Sequence, residues 1–254
     1  MPINKTASDA FKEKVEEYYS RKSRSIRKKH FDIFHFSVKQ KLWQSNYYFD
    51  KLVDIYDRNK FETDFVDKIN VPDDLGGVTQ SSTVKSEVDK DKLAKYCNLY
   101  LDGYFSSVSS IFDTLLHEAN VVFKLVDPER DIYFQTIIDE LREVCPGSEL
   151  YRFLAERKPK RWWKTLGAFR NSLTHESIIA TSIVTTTNVE AGTEKLEKIP
   201  LPDDPKARPF TYRKERELKH FVENFNKNVL PVLERWYRKM NRDLVSSGKL
   251  PIQL

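Results

Sequence analysis

The chain has 254 residues, 43 Lys and Arg against 38 Asp and Glu, a net charge of +5 and 32% charged residues. Apolar residues make up 39% and include 16 Phe and 12 Tyr, enough for a packed core and too many for a disordered tail. Seven glycines and two cysteines argue against glycine-built phosphate loops, many-turned all-β folds, a disulfide framework and a cysteine zinc site.

Cys97 and Cys145 read as buried, reduced thiols. No N-terminal stretch has the apolar centre of a signal peptide, and no run approaches the roughly 20 apolar residues of a membrane span. A soluble cytoplasmic protein is expected. Charge is uneven: residues 1–60 carry +6, 61–147 carry −9, 148–204 carry +1 and 205–254 carry +7. Basic ends can attract a polyanion, or pair with the acidic stretch.

The first expected helix runs from about 9 to 29, capped by Ser8, with Glu13, Glu16 and Glu17 near its start and a basic run at 21–29. That run reads as an RNA-binding strip or a solvated helix face. A second helix is expected over about 31–57, with Phe34, Val38, Leu42, Trp43, Phe49, Leu52, Val53 and Tyr56 at three- and four-residue steps. Residues 58–90 hold Pro72, Gly76, Gly77 and a Ser/Thr cluster, and read as a loop. A long helix follows over about 92–126. Its wide apolar face, from Leu99 and Leu101 through Phe112 to Phe123, suits the centre of a bundle. Shorter helices are expected at about 130–144, 148–157 and 160–175, separated by Pro146-Gly147 and Pro159. The β-branched run at 178–187 reads as a strand, Glu190 to Thr193 as a turn, and 194–199 as a returning strand. Four prolines from Pro200 to Pro209 read as a linker. The last helix, about 213–245, is interrupted by Pro231. The expected fold class is all-α: a helical bundle with a long central amphipathic helix and a small β-hairpin insertion at 178–199. The expected domains are an N-terminal helical extension over 1–60, a loop over 61–90 and the bundle over 91–254.

The segment that carries chemistry is Phe169-Arg170-Asn171-Ser172-Leu173-Thr174-His175-Glu176. At about 100° per residue, Trp162, Leu166, Phe169 and Leu173 fall on a core face. Lys160, Lys164, Gly167, Asn171 and His175 fall roughly opposite. Asn171, one turn before His175, can hold its ring by hydrogen bond. Gly167 leaves a gap for a backbone or substrate. Arg170 and His175 are about 140° apart on a regular helix, so two copies packed symmetrically are the simplest way to join both pairs in one cleft. Histidine moves a proton near neutral pH, and arginine grips a phosphate with a forked pair of hydrogen bonds. Together they suit RNA cleavage by its own 2′-hydroxyl, a reaction that needs no cofactor or metal. The alternative reading is an exposed helix end where His175 favours the C-terminal dipole.

Arg170 to His175 resembles the Arg-x(4–6)-His motif of HEPN domains, in which Asn often follows the Arg as Asn171 does here. The resemblance covers roughly 90–245 and leaves 1–60 unassigned. It implies an all-α bundle, a metal-independent endoribonuclease of toxin–antitoxin or anti-phage systems, and a homodimer with a composite active site. It places Arg170 and His175 in catalytic roles with Asn171 supporting. It also implies an antitoxin partner, in some members a nucleotidyltransferase that modifies a Tyr two residues after the His. Ser177 stands there, so that regulation does not carry over. A polar residue on the long helix assists in some members, and Asp113, His117 and Glu118 are the options. Non-catalytic HEPN-like modules bind nucleotide, nucleic acid or a protein partner, which is the alternative function. Lys160 and Lys164 are the expected RNA contacts. His117-Glu118 lacks the second His of a metalloprotease. His30, His35 and His220 read as surface or packing residues, the Trp162-Trp163 pair as core with one ring able to stack a base, and Asp73-Asp74 and Asp203-Asp204 as solvated turns without partners.

Overall fold

The structure, a computed structural model, describes residues 5–20, 26–57, 60–62, 64–72, 78–85, 90–127, 131–175, 184–188, 193–204, 211, 213–214 and 216–246. In chain order the elements are α1 (Lys5–Ser20), α2 (Ile26–Asp57), β1 (Lys60–Glu62), β2 (Asp64–Pro72), β3 (Val78–Lys85), α3 (Lys90–Phe123), α4 (Phe134–Val144), α5 (Glu149–Ala155), α6 (Arg157–His175), β4 (Val184–Asn188), β5 (Thr193–Lys198), β6 (Pro200–Leu201), β7 (Arg216–Glu217) and α7 (Leu218–Ser246). The chain forms two compact units that share α2, α3, α6 and α7: Met1–Tyr47, Gly103–Asn171 and Asn224–Leu254 in one, Tyr48–Asp102 and Ser172–Glu223 in the other.

In the first unit the core is built on α3. Tyr104, Phe105, Val108, Ile111, Phe112, Leu115, Leu116 and Ala119 are all buried, so the helix is enclosed on nearly every side, as its apolar width predicts. Aromatic rings tie the neighbouring helices to it. Phe105 stacks on Phe169 of α6, with ring centroids 5.0 Å apart, and meets Phe225 of α7 edge-on at 5.4 Å. Phe112 meets Trp163 of α6 at 5.4 Å and Trp236 of α7 at 6.3 Å. Phe11 of α1 packs between Phe31 of α2 and Tyr237 of α7. Each such side chain stabilises by roughly 1.5–3 kcal/mol when fully buried. Past α3 the chain turns at Lys124, whose φ is +55°. The Asn120 amide fixes the turn by accepting from Val126 N at 2.7 Å and donating to Val126 O at 3.1 Å. Ser148 caps α5, accepting from Tyr151 N. The Asp243 carboxylate of α7 takes three further bonds there, from Ser148 Oγ, Glu149 N and Leu150 N.

Among the described residues of the second unit three small antiparallel sheets form: β1-β5-β4, β2-β3 and β6-β7. Among its described residues Leu52, Cys97, Leu101, Ile199, Leu201, Leu218 and Val222 are buried and apolar. Burial pushes the Cys97 thiol up to about 12, so it stays protonated. Cys145, in the first unit, is only half-buried.

Several expectations are corrected. The helix read over 9–29 ends at Ser20, and residues 26–29 open α2. Ser8 lies inside α1, where it is buried and faces His35 instead of capping. The segment 61–90, read as a loop, holds β2 and β3 paired from Asp64↔Lys85 to Pro72↔Val78. The β-branched residues on either side of the Asp/Gly stretch favour paired strands, while the stretch itself, residues 73–77, lies outside the described residues. The proline linker contributes β6, held by β7 and by Leu218 N donating to Ile199 O. Pro159 lies in the first turn of α6, where its missing N–H costs nothing. The hairpin expected at 178–199 is present as β4 and β5, while its outer residues 178–183 and its turn at 190–192 lie outside the described residues. Leu99, placed on the apolar face, is 58% exposed. Asp203 has partners: it accepts from Thr211 Oγ1, Arg213 N and Lys214 N at 3.0, 2.9 and 2.8 Å. Asp73 and Asp74 lie outside the described residues.

Candidate functional site

The centre of the site is Arg170, near the end of α6. Phe169, beside it, is buried on Phe105, and that anchor turns Arg170 toward α3. Its guanidinium Nη1 donates to Ser109 Oγ at 3.2 Å and pairs with Asp113 Oδ2 at 3.5 Å. Both side chains of the ion pair remain close to half exposed. His117 follows one turn beyond Asp113 on α3 and stacks on Phe34 of α2, with centroids 5.3 Å apart. Burial raises the Asp113 carboxyl above its ordinary value, while the charges of Arg170 and His117 hold it back. Burial likewise lowers the His117 imidazole, opposed by Asp113, so it is neutral over a wider range.

Of the three options on the long helix, Asp113 touches Arg170 and His117 lies beside Asp113. Glu118 is fully buried elsewhere: its carboxylate lies 2.9 Å from His35 Nδ1 and accepts from Tyr237 OH at 2.9 Å. Ser8 Oγ lies 3.2 Å from His35 Nε2. Ser8, His35 and Glu118 have the order of a hydrolytic triad, but all three are at most 2% exposed, so no substrate reaches the hydroxyl and the group is structural.

Asn171 and Lys164 are exposed on α6. A Cβ added at Gly167 would meet nothing within 4 Å, in keeping with the gap read in that row. His175 is the last residue of α6. Its side chain and those of Lys160 and Trp162 lie outside the described residues. Trp163 is committed to Phe112 and Phe134, so it is not a free base-stacking ring. Ser109 was missed by sequence reasoning. The signal was available in the polar row Ser109, Asp113, His117 at four-residue steps along an otherwise apolar helix. Among the described residues no cluster of His, Cys, Asp and Glu could hold a metal ion. No described helix is long and apolar enough to cross a membrane.

An all-α bundle whose arginine is held against a long central helix, on a helix that ends in histidine, defines a helical-module class of protein. A family model for the Cthe2314-like HEPN family matches residues 35–203, two thirds of the chain, and the protein belongs to that family. The match runs from within α2 to just past β6, so it begins earlier than the resemblance at 90 suggested and leaves all of α7 outside. Neither the curated proteins nor the solved structures give a match.

Proposed function

We propose that the protein is a metal-independent endoribonuclease. The observation that carries the reading is Arg170, half exposed and oriented by Ser109 and Asp113, on the helix that ends five residues later at His175. His175 takes the proton from the RNA 2′-hydroxyl, or gives one to the 5′-oxygen that leaves. The 2′-oxygen forms a bond to phosphorus as the bond to the 5′-oxygen breaks, leaving a cyclic phosphate and a 5′-hydroxyl. Arg170 stabilises the charge that grows on the phosphoryl oxygens. Asp113 positions Arg170, Asn171 orients His175, and Lys160 and Lys164 draw the backbone in. Because Arg170 and His175 diverge by about 140° along α6, two copies supply one composite site. The proposed setting is a cytoplasmic toxin–antitoxin or anti-phage system, with an antitoxin or nucleotidyltransferase as partner.

The test is RNA cleavage in EDTA by the parent, Arg170→Ala, His175→Ala and Asp113→Asn. The first two are expected to lose at least ~10²-fold in rate. Asp113→Asn is expected to lose less, because the Arg170 cation remains. Equal cleavage by parent and the Arg170 and His175 variants removes the catalytic reading. Tight RNA binding by a parent that does not cleave points instead to a non-catalytic binding module.

A further inference from the structure

Two rows of side chains run along residues 26–47, the part of α2 that belongs to the first unit. The buried row is Phe31, His35, Val38, Leu42 and Ser45, in steps of four, three, four and three. The chain's own helices cover it: Phe31 meets Phe11 of α1, and His35 meets Glu118 of α3 and Tyr237 of α7. The second row is Lys29, Ile33, Phe36, Gln40, Trp43 and Tyr47, in steps of four, three, four, three and four. All six are exposed, and the apolar members Ile33, Phe36, Trp43 and Tyr47 are 58%, 62%, 68% and 45% so. At about 100° per residue the two rows lie roughly 150° apart. Alternating steps of three and four keep a row in line with a neighbouring helix, which is why they mark the seam between two helices. A solvated face needs no such register and no aromatic rings. α2 thus carries a seam on each side, and described residues fill only the inner one. The Trp43 and Tyr47 rings stack with centroids 6.1 Å apart, and Trp and Tyr are the side chains on which binding energy concentrates.

We propose that the outer row of α2 docks an acidic amphipathic helix of another protein. Lys29 to Tyr47 rises about 27 Å, so the incoming helix spans about five turns. It presents apolar residues opposite Ile33, Phe36, Trp43 and Tyr47, and a hydrogen-bonding side chain opposite Gln40. One polar residue inside an apolar seam fixes the register of the pair. Charge sets the flanks of the partner. Residues 26–47 hold five Lys and Arg and one Asp, a net +4. Lys29 stands in the row and Lys39 at its edge, both exposed. Lys39 meets Asp9 at 3.1 Å and Lys28 meets Asp32 at 3.0 Å, but pairs so open to water are weak and leave the excess in place. Asp and Glu beside the partner's seam complement that excess, whereas a second copy of this face sets +4 against +4. The register also favours a helix over a nucleic acid, because bases need free ring faces and Trp43 and Tyr47 face each other. Phe34, the α2 residue stacked on His117, lies roughly 145° round the helix from the row. Docking is therefore separate from the Arg170 site and does not rest on the RNA-cleavage reading.

The probe is a labelled peptide of about four heptads, with Leu at the seam positions, one central Gln and Glu on both flanks. The same peptide with Lys on its flanks stands beside it, and anisotropy with the purified full chain reads both. The acidic peptide is expected to bind with a Kd of about 10–100 μM, and the basic one at least ~10-fold more weakly. Phe36→Glu and Trp43→Glu are each expected to weaken the acidic peptide at least ~10-fold. Tyr133→Glu, the same charge change at an exposed aromatic on another element, is expected to bind as the parent does. All three positions are exposed, so circular dichroism and melting temperature should match the parent. No binding of the acidic peptide up to about 1 mM overturns the proposal. So does equal binding by the parent and both α2 variants, or by the acidic and basic peptides. A labelled oligouridine that binds in place of the peptide, and is lost in the same variants, gives the row to nucleic acid and overturns it too. Self-association of the parent, lost in both variants, with no peptide bound, gives the row to a second copy with the same consequence.

Discussion

Glu118 receives two donors in a place no water reaches, with His35 Nδ1 on one carboxylate oxygen and Tyr237 OH on the other. Burial, then the charge and hydrogen bond of Glu118, push the Tyr237 phenol well above its ordinary value. Tyr237 therefore holds its proton more firmly than an exposed phenol and donates it to Glu118. A glutamine at position 118 keeps one acceptor oxygen and turns its amide N–H₂ toward a group that also donates. Glu118→Gln is thus expected to destabilise by about 2–4 kcal/mol, the range for a buried charged hydrogen bond left unmade. Urea unfolding measures it, with Asp113→Asn as control on the same helix, where a half-exposed carboxyl already raised by burial loses little. An unchanged midpoint for Glu118→Gln means the trio adds nothing to stability. These residues also mark the limit of reading single positions. That Lys164, Arg170 and Asn171 lie exposed on α6 was legible because a helix wheel needs only local spacing. The role of Glu118 was not, because His35 lies 83 positions away and Tyr237 lies 119 away.

Among the helices, the three- and four-residue apolar steps located α3 to α7 within a few residues, since the face that packs is also the face that repeats. Boundaries were less legible where a polar side chain decides them. The turn after α3 depends on Asn120 reaching Val126, and the start of α5 on Asp243 from α7. The β4–β5 pair was visible in its run of β-branched residues, whereas β2–β3 was hidden by the turn residues between its strands. Two local junctions also make stability depend on pH. The Glu149 carboxyl is held below its ordinary 4.5, first by its hydrogen bond from Lys239, then by that lysine's charge. At Asp203, burial pulls the other way, but the bonds from Lys214 N, Thr211 and Arg213 N outweigh it and hold the carboxyl below 3.8. A carboxyl lowered on folding adds stability that is fully present above its unfolded value and is lost as pH falls through the folded one. Both contributions are therefore complete above about pH 5 and fade below about pH 4. Glu149→Gln and Asp203→Asn are expected to be less stable than the parent at neutral pH and to converge on it in acid. Thermal melts at a series of pH values check this, and a difference that stays constant with pH excludes the linkage.

For the molecule as a whole, a net charge of +5 is too small to draw in RNA by itself. If RNA binds at Arg170, local charge must do the work, and Lys164 stands six residues before Arg170 on α6, exposed. Six residues rise about 9 Å, within reach of the next phosphate or two along a single strand. Each phosphate neutralised releases counterions, and for single strands the slope of log affinity against log salt changes by about 0.7 per contact. Lys164→Ala is expected to weaken binding several-fold for every RNA sequence tried and to lower that slope by about one contact's worth. Arg142→Ala is the matched control, since Arg142 is an exposed cation on α4, paired with Asp139, and its loss changes net charge equally. Anisotropy titrations of a short labelled RNA at several salt concentrations give both quantities. If the two variants lose affinity equally, the attraction comes from the total charge and the Lys164 row has no special place in it. If only Lys164→Ala does, the phosphate path runs along α6 to Arg170, where the cleavage reading needs it to run.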